Sequence, residues 1–300
     1  MRLPKRCSMT VVVMGFCFDR VAAGLDELAK VYLIAACDTM LSDAFYGATV
    51  QDSGVCKVQA AGMFSPWLIG YCDNPEHFLP IRAKYAAKLS PLSGNSDVSE
   101  AEFLEILKQS YQDYRNEEIA ERILRPTWQI ASVQELKSLE HSNPITYANL
   151  WPQVQGFDLE LTLCAGGFSK TTGPQLRIIS NPGHVSKNLA PILPGTVAIG
   201  SGDDHAQRHL RLWYDKGASL KEALYYILES KFIADMDVPT VGVATDLIIT
   251  QYNPRAQPNN TPFRVSRERV AEFQDAWKAE RRNPSQSLVK LLDIEPLFNF

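Results

Sequence analysis

A series of short signals carries the side chains able to do chemistry, and they come in a fixed order along the 300-residue chain. Thr10 opens an apolar run, and Asp38 closes Ala35-Ala36-Cys37-Asp38-Thr39. Lys57 starts the next segment, Gly200-Ser201-Gly202 forms a small-residue turn, and Asp237 and Thr240 frame Asp237-Val238-Pro239-Thr240-Val241-Gly242. A hydroxyl, a lysine and carboxylates are the materials of base-assisted nucleophilic attack. Singly, each also has a plain structural reading: Thr10 as a β-former, Lys57 with Asp38 as an ion pair, Ser201 as part of a strand–helix turn. His205 and His209 have the spacing that places two imidazoles on one helix face for metal. The Glu of H-E-x-x-H is absent, no third ligand is identifiable, and a helix N-terminus accounts for Asp203 and Asp204. Cys7, Cys17, Cys37, Cys56, Cys72 and Cys164 are scattered without C-x-x-C spacing, which fits reduced, buried thiols, with Cys17 and Cys37 read as inert.

The elements that must hold these residues follow from periodicity. Thr10–Phe18 and Val31–Cys37 read as buried strands, with Ala22–Lys30 as a hairpin excursion between them. Gly54–Ala61 and Phe64–Gly70 suggest a second pair with a turn near Gly62. After Asn74-Pro75 the period becomes helical through Phe78, Ile81, Tyr85 and Leu89. Ser90–Asp97 is a loop, and Ser99 with Glu102 opens a capped helix whose stripe is Phe103, Ile106, Leu107, Tyr111, Tyr114 and Ile119. Tyr111 and Tyr114 read as core or a subunit contact. Arg125–Gln155 is ambiguous, its weak periodicity broken by Pro126, Pro144 and Pro152. Phe157–Ala165 and Gln175–Ser180 form a hairpin. Val197–Ile199 leads into a helix N-terminus, and Ser219–Asp235 is a helix with Leu220, Ala223, Leu224, Ile227 and Lys231 on one face. Val241–Thr250 is a strand and Thr261–Arg282 contains a charged helix. Strands grouped with strands and helices in pairs predict an α+β fold of helices covering antiparallel sheets.

Taken together with Cys164-Ala165-Gly166-Gly167-Phe168 and Gly173-Pro174-Gln175-Leu176, these signals resemble the proteasome β-subunit family of N-terminal-nucleophile hydrolases, including its bacterial members. The resemblance covers roughly 10–90 and 157–250. It implies a four-layer αββα sandwich in which Thr10 is the nucleophile. Asp38 matches the carboxylate ending the second strand, and Lys57 matches the lysine beneath the nucleophile. Ser201 matches the serine of the G-S-G turn. Asp237 and Thr240 match the Asp and Ser of D-x-x-S-G-G, with Thr for Ser and Val241 for one Gly. Gly70 is the candidate oxyanion-hole N–H, with Gly62 competing.

The residue types suit that role. A free α-amino group, with a pKa of about 7.7–8, can take the threonine proton. Lys57 would keep that amine neutral, Asp38 would hold the lysine, and Ser201, Asp237 and Thr240 would fix the amine and a water. An N–H at Gly70 would stabilise the tetrahedral oxyanion. The reaction would be amide or peptide hydrolysis through an acyl-enzyme ester, without cofactor or metal. Thr10 must then become N-terminal, by removal of residues 1–9 or by translation from Met9 followed by methionine trimming, since Met9 stands where the family has Gly.

Composition narrows the rest. With Lys+Arg 30 against Asp+Glu 34 the net charge is -4, and no long basic block points to nucleic acid or an anionic membrane. No apolar run approaches the ~20 residues of a membrane helix, and the basic start followed by valines lacks a signal-peptide cleavage site. The chain is expected in the cytoplasm. The expected organisation is one sandwich over 10–250 with an insertion near 125–155 and a C-terminal extension over 251–300. The family implies a homo-oligomer acting on a peptide or small amide, with any ATPase or chaperone partner unknown. The alternatives are a catalytically idle proteasome-like scaffold or regulatory homo-oligomer, and a small-molecule amidase.

Overall fold

Val11, Val13 and Cys17 point to one face of the first strand, while Val12, Met14 and Phe16 point to the other, and all are fully buried. A strand apolar on both faces must be covered on both, which forces a layered architecture. The computed structural model describes residues 11–19, 30–38, 40–41, 51–52, 56–61, 67–92, 99–169, 172–192, 194–238, 244–252 and 262–280.

The chain begins with β1 (Val11–Asp19), β2 (Lys30–Asp38), β3 (Met40–Leu41), β4 (Gln51–Asp52), β5 (Val58–Ala60) and β6 (Leu68–Asp73). The helices α1 (Pro75–Leu89) and α2 (Glu100–Ile119) follow, then a π-turn over Ala120–Leu124, α3 (Arg125–Trp128), α4 (Val133–Ser142) and α5 (Pro144–Gly156). Next come β7 (Leu161–Ser169), β8 (Gly173–Ser180), β9 (His184–Val185) and β10 (Thr196–Gly200). The chain continues through α6 (Asp203–Trp213), α7 (Leu220–Asp237), β11 (Thr245–Tyr252), β12 (Phe263–Val265) and α8 (Arg267–Glu280). The expected α+β class is what is observed.

Two compact units divide these elements, the smaller comprising Asn74–Leu161 with Ile179–Val185. In the larger, one sheet has the order β10-β1-β2-β11-β12 and is antiparallel throughout. A second has the order β5-β6-β7-β8-β9, with β8 running on into the smaller unit. Val12, Met14, Phe16, Leu33 and Ala35 of the first sheet pack against Leu68, Cys164, Phe168 and Leu176 of the second, forming the core between them. The opposite face of the first sheet buries Val11, Val13, Ile34 and Ala36 under α6, α7 and α8, through Leu210, Leu224, Phe232 and Phe273. The larger unit is therefore helix, sheet and sheet in layers.

The stretch after 251, read from sequence as an extension, contributes structure to this unit. β12 is the edge strand of the first sheet, and α8 buries Val270, Phe273 and Trp277 in the helical layer. The short strand β12 carries too few residues for an alternation to show in sequence.

In the smaller unit, Ser99 caps α2 through Glu102 N, as the sequence predicts, and Asn74 caps α1 through Glu76 N. The two helices are laced by Lys84–Glu117 at 2.7 Å and Lys88–Asp113 at 2.8 Å. The ambiguous stretch is helical: Pro126 and Pro144 fall in first turns, where the missing N–H costs nothing, and only Pro152 lies inside a helix. Its helices close over Leu124, Ile130, Leu136, Leu150 and Val154. Arg115 fastens the end of α5 by donating from Nη2 to the Val154 and Phe157 carbonyls, each at 2.8 Å.

Candidate active site

β2 ends on Asp38, which is fully buried and accepts from Lys57 Nζ at 2.8 Å. Lys57 itself is only 1% exposed, and its carbonyl accepts from Tyr71 N at 3.1 Å, which ties the lysine backbone to β6. Two ions out of water persist together because each compensates the other's lost hydration. In β1, Val12 pairs with Cys37, so the register carries Asp38 to the level of Val11, the first described residue of that strand. On the other side Val11 pairs with Gly200, immediately before Ser201. The start of β1 is thus flanked by the Asp38 end of β2 and the Gly200-Ser201 end of β10. Ser201 is exposed and leads into α6.

A second buried pair stands near the first. Lys231, without exposure, donates to Asp235 Oδ2 at 2.6 Å across one turn of α7. Burial pushes the Asp235 carboxyl up to about 7 despite the lysine beside it, and the charge of Asp38 adds to the rise. Asp235 Oδ1 is buried and has no hydrogen-bond partner. This pair was not assigned from sequence. The signal was Lys231 itself, a charged residue on an otherwise apolar helix face with a carboxylate four residues on.

Asp237, the expected site carboxylate, is paired with a histidine of α6. Its Oδ2 is 3.0 Å from His205 Nδ1, and both side chains are about half exposed, 49% and 44%. His209 instead lies 2.9 Å from Glu229, which also accepts from Trp277 Nε1 and Tyr225 Oη. The two histidines of the H-x-x-x-H pattern therefore engage different carboxylates of α7. Gly70 pairs with Val58 in β6 at a close approach of the two sheets. A Cβ there would meet Val12 Cγ1 at 2.7 Å and Cys164 Sγ at 2.8 Å. Thr10, Thr240 and Gly62 lie outside the described residues.

Beside the Lys57–Asp38 pair, Cys37, Cys56 and Asp246 bring their sulfur and oxygen atoms within 4.8 Å of one another. Among the described residues this is the group with the donor types for a metal. Asp246, however, is held by Arg264 and by Arg267, whose Nε and Nη2 lie 2.8 Å and 3.1 Å from its two oxygens. These guanidiniums keep its carboxyl below the usual range against the effect of burial.

The fold is a layered arrangement of two packed sheets with helices over the outer face of the first, and a buried lysine–aspartate pair level with the start of the first strand. Neither a family model nor a curated protein matches the sequence. Among solved structures, the chain is similar to the Anbu (Gly-1) mutant from Hyphomicrobium sp. strain MC1. The identity is 15%, the coverage 91% of this chain and 95% of that one, and the TM-score 0.56. At that identity the likeness is one of fold. Among the described residues no helix is long and apolar enough to cross a membrane.

Proposed function

We propose that this chain is a threonine-type hydrolase of amide or peptide bonds, built as a four-layer αββα sandwich over 10–250 with an insertion near 125–155. The observation that carries the reading is the buried Lys57–Asp38 pair at 2.8 Å, level with the start of β1. Thr10 is one peptide bond from Val11, the first described residue of β1. The amine takes the hydroxyl proton, and the hydroxyl attacks the substrate carbonyl. The ammonium of Lys57 disfavours a second charge on the amine, and Asp38 fixes the ammonium. Ser201, Asp237 and Thr240 orient the amine and the water that resolves the ester, and Gly70 supplies an N–H to the oxyanion. No cofactor takes part.

We place the enzyme in the cytoplasm as a homo-oligomer. Leu212 and Trp213, 70% and 60% exposed at the end of α6, support a subunit contact. The extension over 251–300 would brace the helical layer, as α8 does. The idle-scaffold reading draws support from one observation, the half-exposed pairing of Asp237 with His205. Two measurements separate the readings. Mass spectrometry of the natively expressed protein should find Thr10 N-terminal, and an electrophile selective for N-terminal threonine should label it and fail on Thr10→Ala. A mature chain that retains residues 1–9 overturns the hydrolase.

A further inference from the structure

The chain neighbours of the buried ion pair are both cysteines: Cys37 precedes Asp38, and Cys56 precedes Lys57. Holding Lys57 on Asp38 therefore also brings the two thiols together, with Sγ to Sγ at 3.9 Å. A disulfide needs about 2.05 Å, so the sulfurs are in contact and short of a bond. Other described cysteines are engaged elsewhere: Cys17 with the Ala218 carbonyl, Cys72 with Asp73, Cys164 with Met14. Burial pushes Cys17 up, and it does the same to Cys72 and Cys164. Cys56, which also donates to the Val58 carbonyl at 2.9 Å, differs in exposure and in the direction of its thiol. It is only partly buried, and the hydrogen bond with Cys37, aided by the charge of Arg264, lowers its thiol while Cys37 rises.

We infer that Cys56 and Cys37 form a peroxide-responsive thiol pair, Cys56 being the sulfur oxidised and Cys37 the sulfur that resolves it to an intramolecular disulfide. The Cys56 thiol gives up its proton and the thiolate attacks hydrogen peroxide: an S–O bond forms, the O–O bond breaks, and the departing hydroxide takes up the proton that the thiol released, leaving as water. The Cys37 sulfur then attacks the Cys56 sulfur, the S–S bond forms, the S–O bond breaks, and the leaving hydroxide departs as water with the Cys37 proton. Two thiols are oxidised by two electrons, and one peroxide becomes two waters. The same cluster holds metal less well. Both Asp246 oxygens are taken by guanidiniums, and that positive charge repels a cation. This chemistry is independent of whether Thr10 acts as a nucleophile.

The test uses the reduced full chain, treated with hydrogen peroxide and proteolysed without reductant. The expected product is a Cys37–Cys56 linked peptide, lighter than its parts by two hydrogens and restored by dithiothreitol. Cys56 should lose alkylation roughly tenfold faster than Cys17, Cys72 or Cys164. Cys37→Ser should leave a dimedone-trappable sulfenic acid on Cys56, and Cys56→Ser should leave Cys37 reduced. If either variant fails to fold, the alkylation rates of the unaltered chain decide alone. A Cys56 that stays reduced, a disulfide from Cys56 to another cysteine, or one zinc ion bound to the reduced chain and shielding both thiols would each overturn the inference.

Discussion

Lys57 Nζ lies 2.8 Å from Asp38 Oδ1, and the two side chains are 2% and 0% exposed. Nearby, Lys231 and Asp235 form a second closed pair, and the charge of Asp38 is felt at Asp235. Among the described residues, the end of the first sheet below the start of β1 thus gathers Lys57, Asp38, Lys231 and Asp235 out of water. Its members come from β2, the residue before β5, and α7, so the layers must be assembled before the charges are compensated.

Removing one member of a buried pair leaves the other charge stranded. Lys57→Met should cost about 3–5 kcal/mol of stability by urea unfolding, the usual penalty for a broken buried pair. A Lys57→Met, Asp38→Leu double variant should recover most of it, while hydrolysis stays absent in both. Equal stability of the single variant and the parent would show that Lys57 is not held by Asp38 in solution.

Asp235 makes stability depend on pH with a definite sign. Its carboxyl is raised to about 7 in the fold, above its ordinary value, so the folded state binds the extra proton between those limits. The stability it contributes is complete below the unfolded pKa and is lost as pH rises through about 7. Asp235→Asn cannot ionise, so its stability relative to the parent should improve from pH 4 to pH 8, by an amount on the order of a few kcal/mol. Chemical denaturation at a series of pH values reads this directly. A difference that does not change with pH would place the carboxyl in its ordinary range.

Asp246 has the opposite sign. Arg267 and Arg264 hold its carboxyl low, so its contribution is present above the unfolded pKa and lost as pH falls through the lower folded value. The same pairing fastens β12 and the start of α8 to β11. Asp246→Ala should therefore cost about 2–4 kcal/mol at neutral pH and much less in acid. Hydrogen exchange should localise the loss to residues 263–280. Protection lost evenly across the sheet would argue against this local role.

The strands, helices and caps of the layers were legible because burial imposes period 2 or 3.6 on long apolar segments. β1, β2, α1, α2 and α7 fall close to their expected spans. Arg125–Gln155 was not legible, since prolines that interrupt a pattern look alike whether they sit inside a helix or in its first turn. β12 is too short to show alternation. At the site, the family resemblance brought Asp38 to Lys57, but it could not show that Cys37 and Cys56 must then meet. The resemblance to D-x-x-S-G-G named Asp237, and it carried no sign that Asp235, two residues before it, is buried and feels the charge of Asp38. Two residues on an α-helix separate by about 200°, so these aspartates face different surroundings, and only the packed helix distinguishes them.

That distinction gives the last prediction. Asp237 is half exposed and bound to His205, so Asp237→Asn should change stability by no more than about 0.5–1 kcal/mol, as for surface ion pairs. Asp235→Asn should instead shift the pH profile of any hydrolysis, because it removes a charge that interacts with Asp38 beneath Lys57. If Thr10 is the nucleophile and Asp237 orients its amine, Asp237→Asn will lower kcat at least as much as Asp235→Asn while leaving folding intact. A hydrolase indifferent to Asp237→Asn and sensitive to Asp235→Asn would instead assign the orienting carboxylate to α7's buried face. Paired kinetics and unfolding of the two variants separate these outcomes, since only a residue acting on the amine lowers kcat without a matching loss of stability.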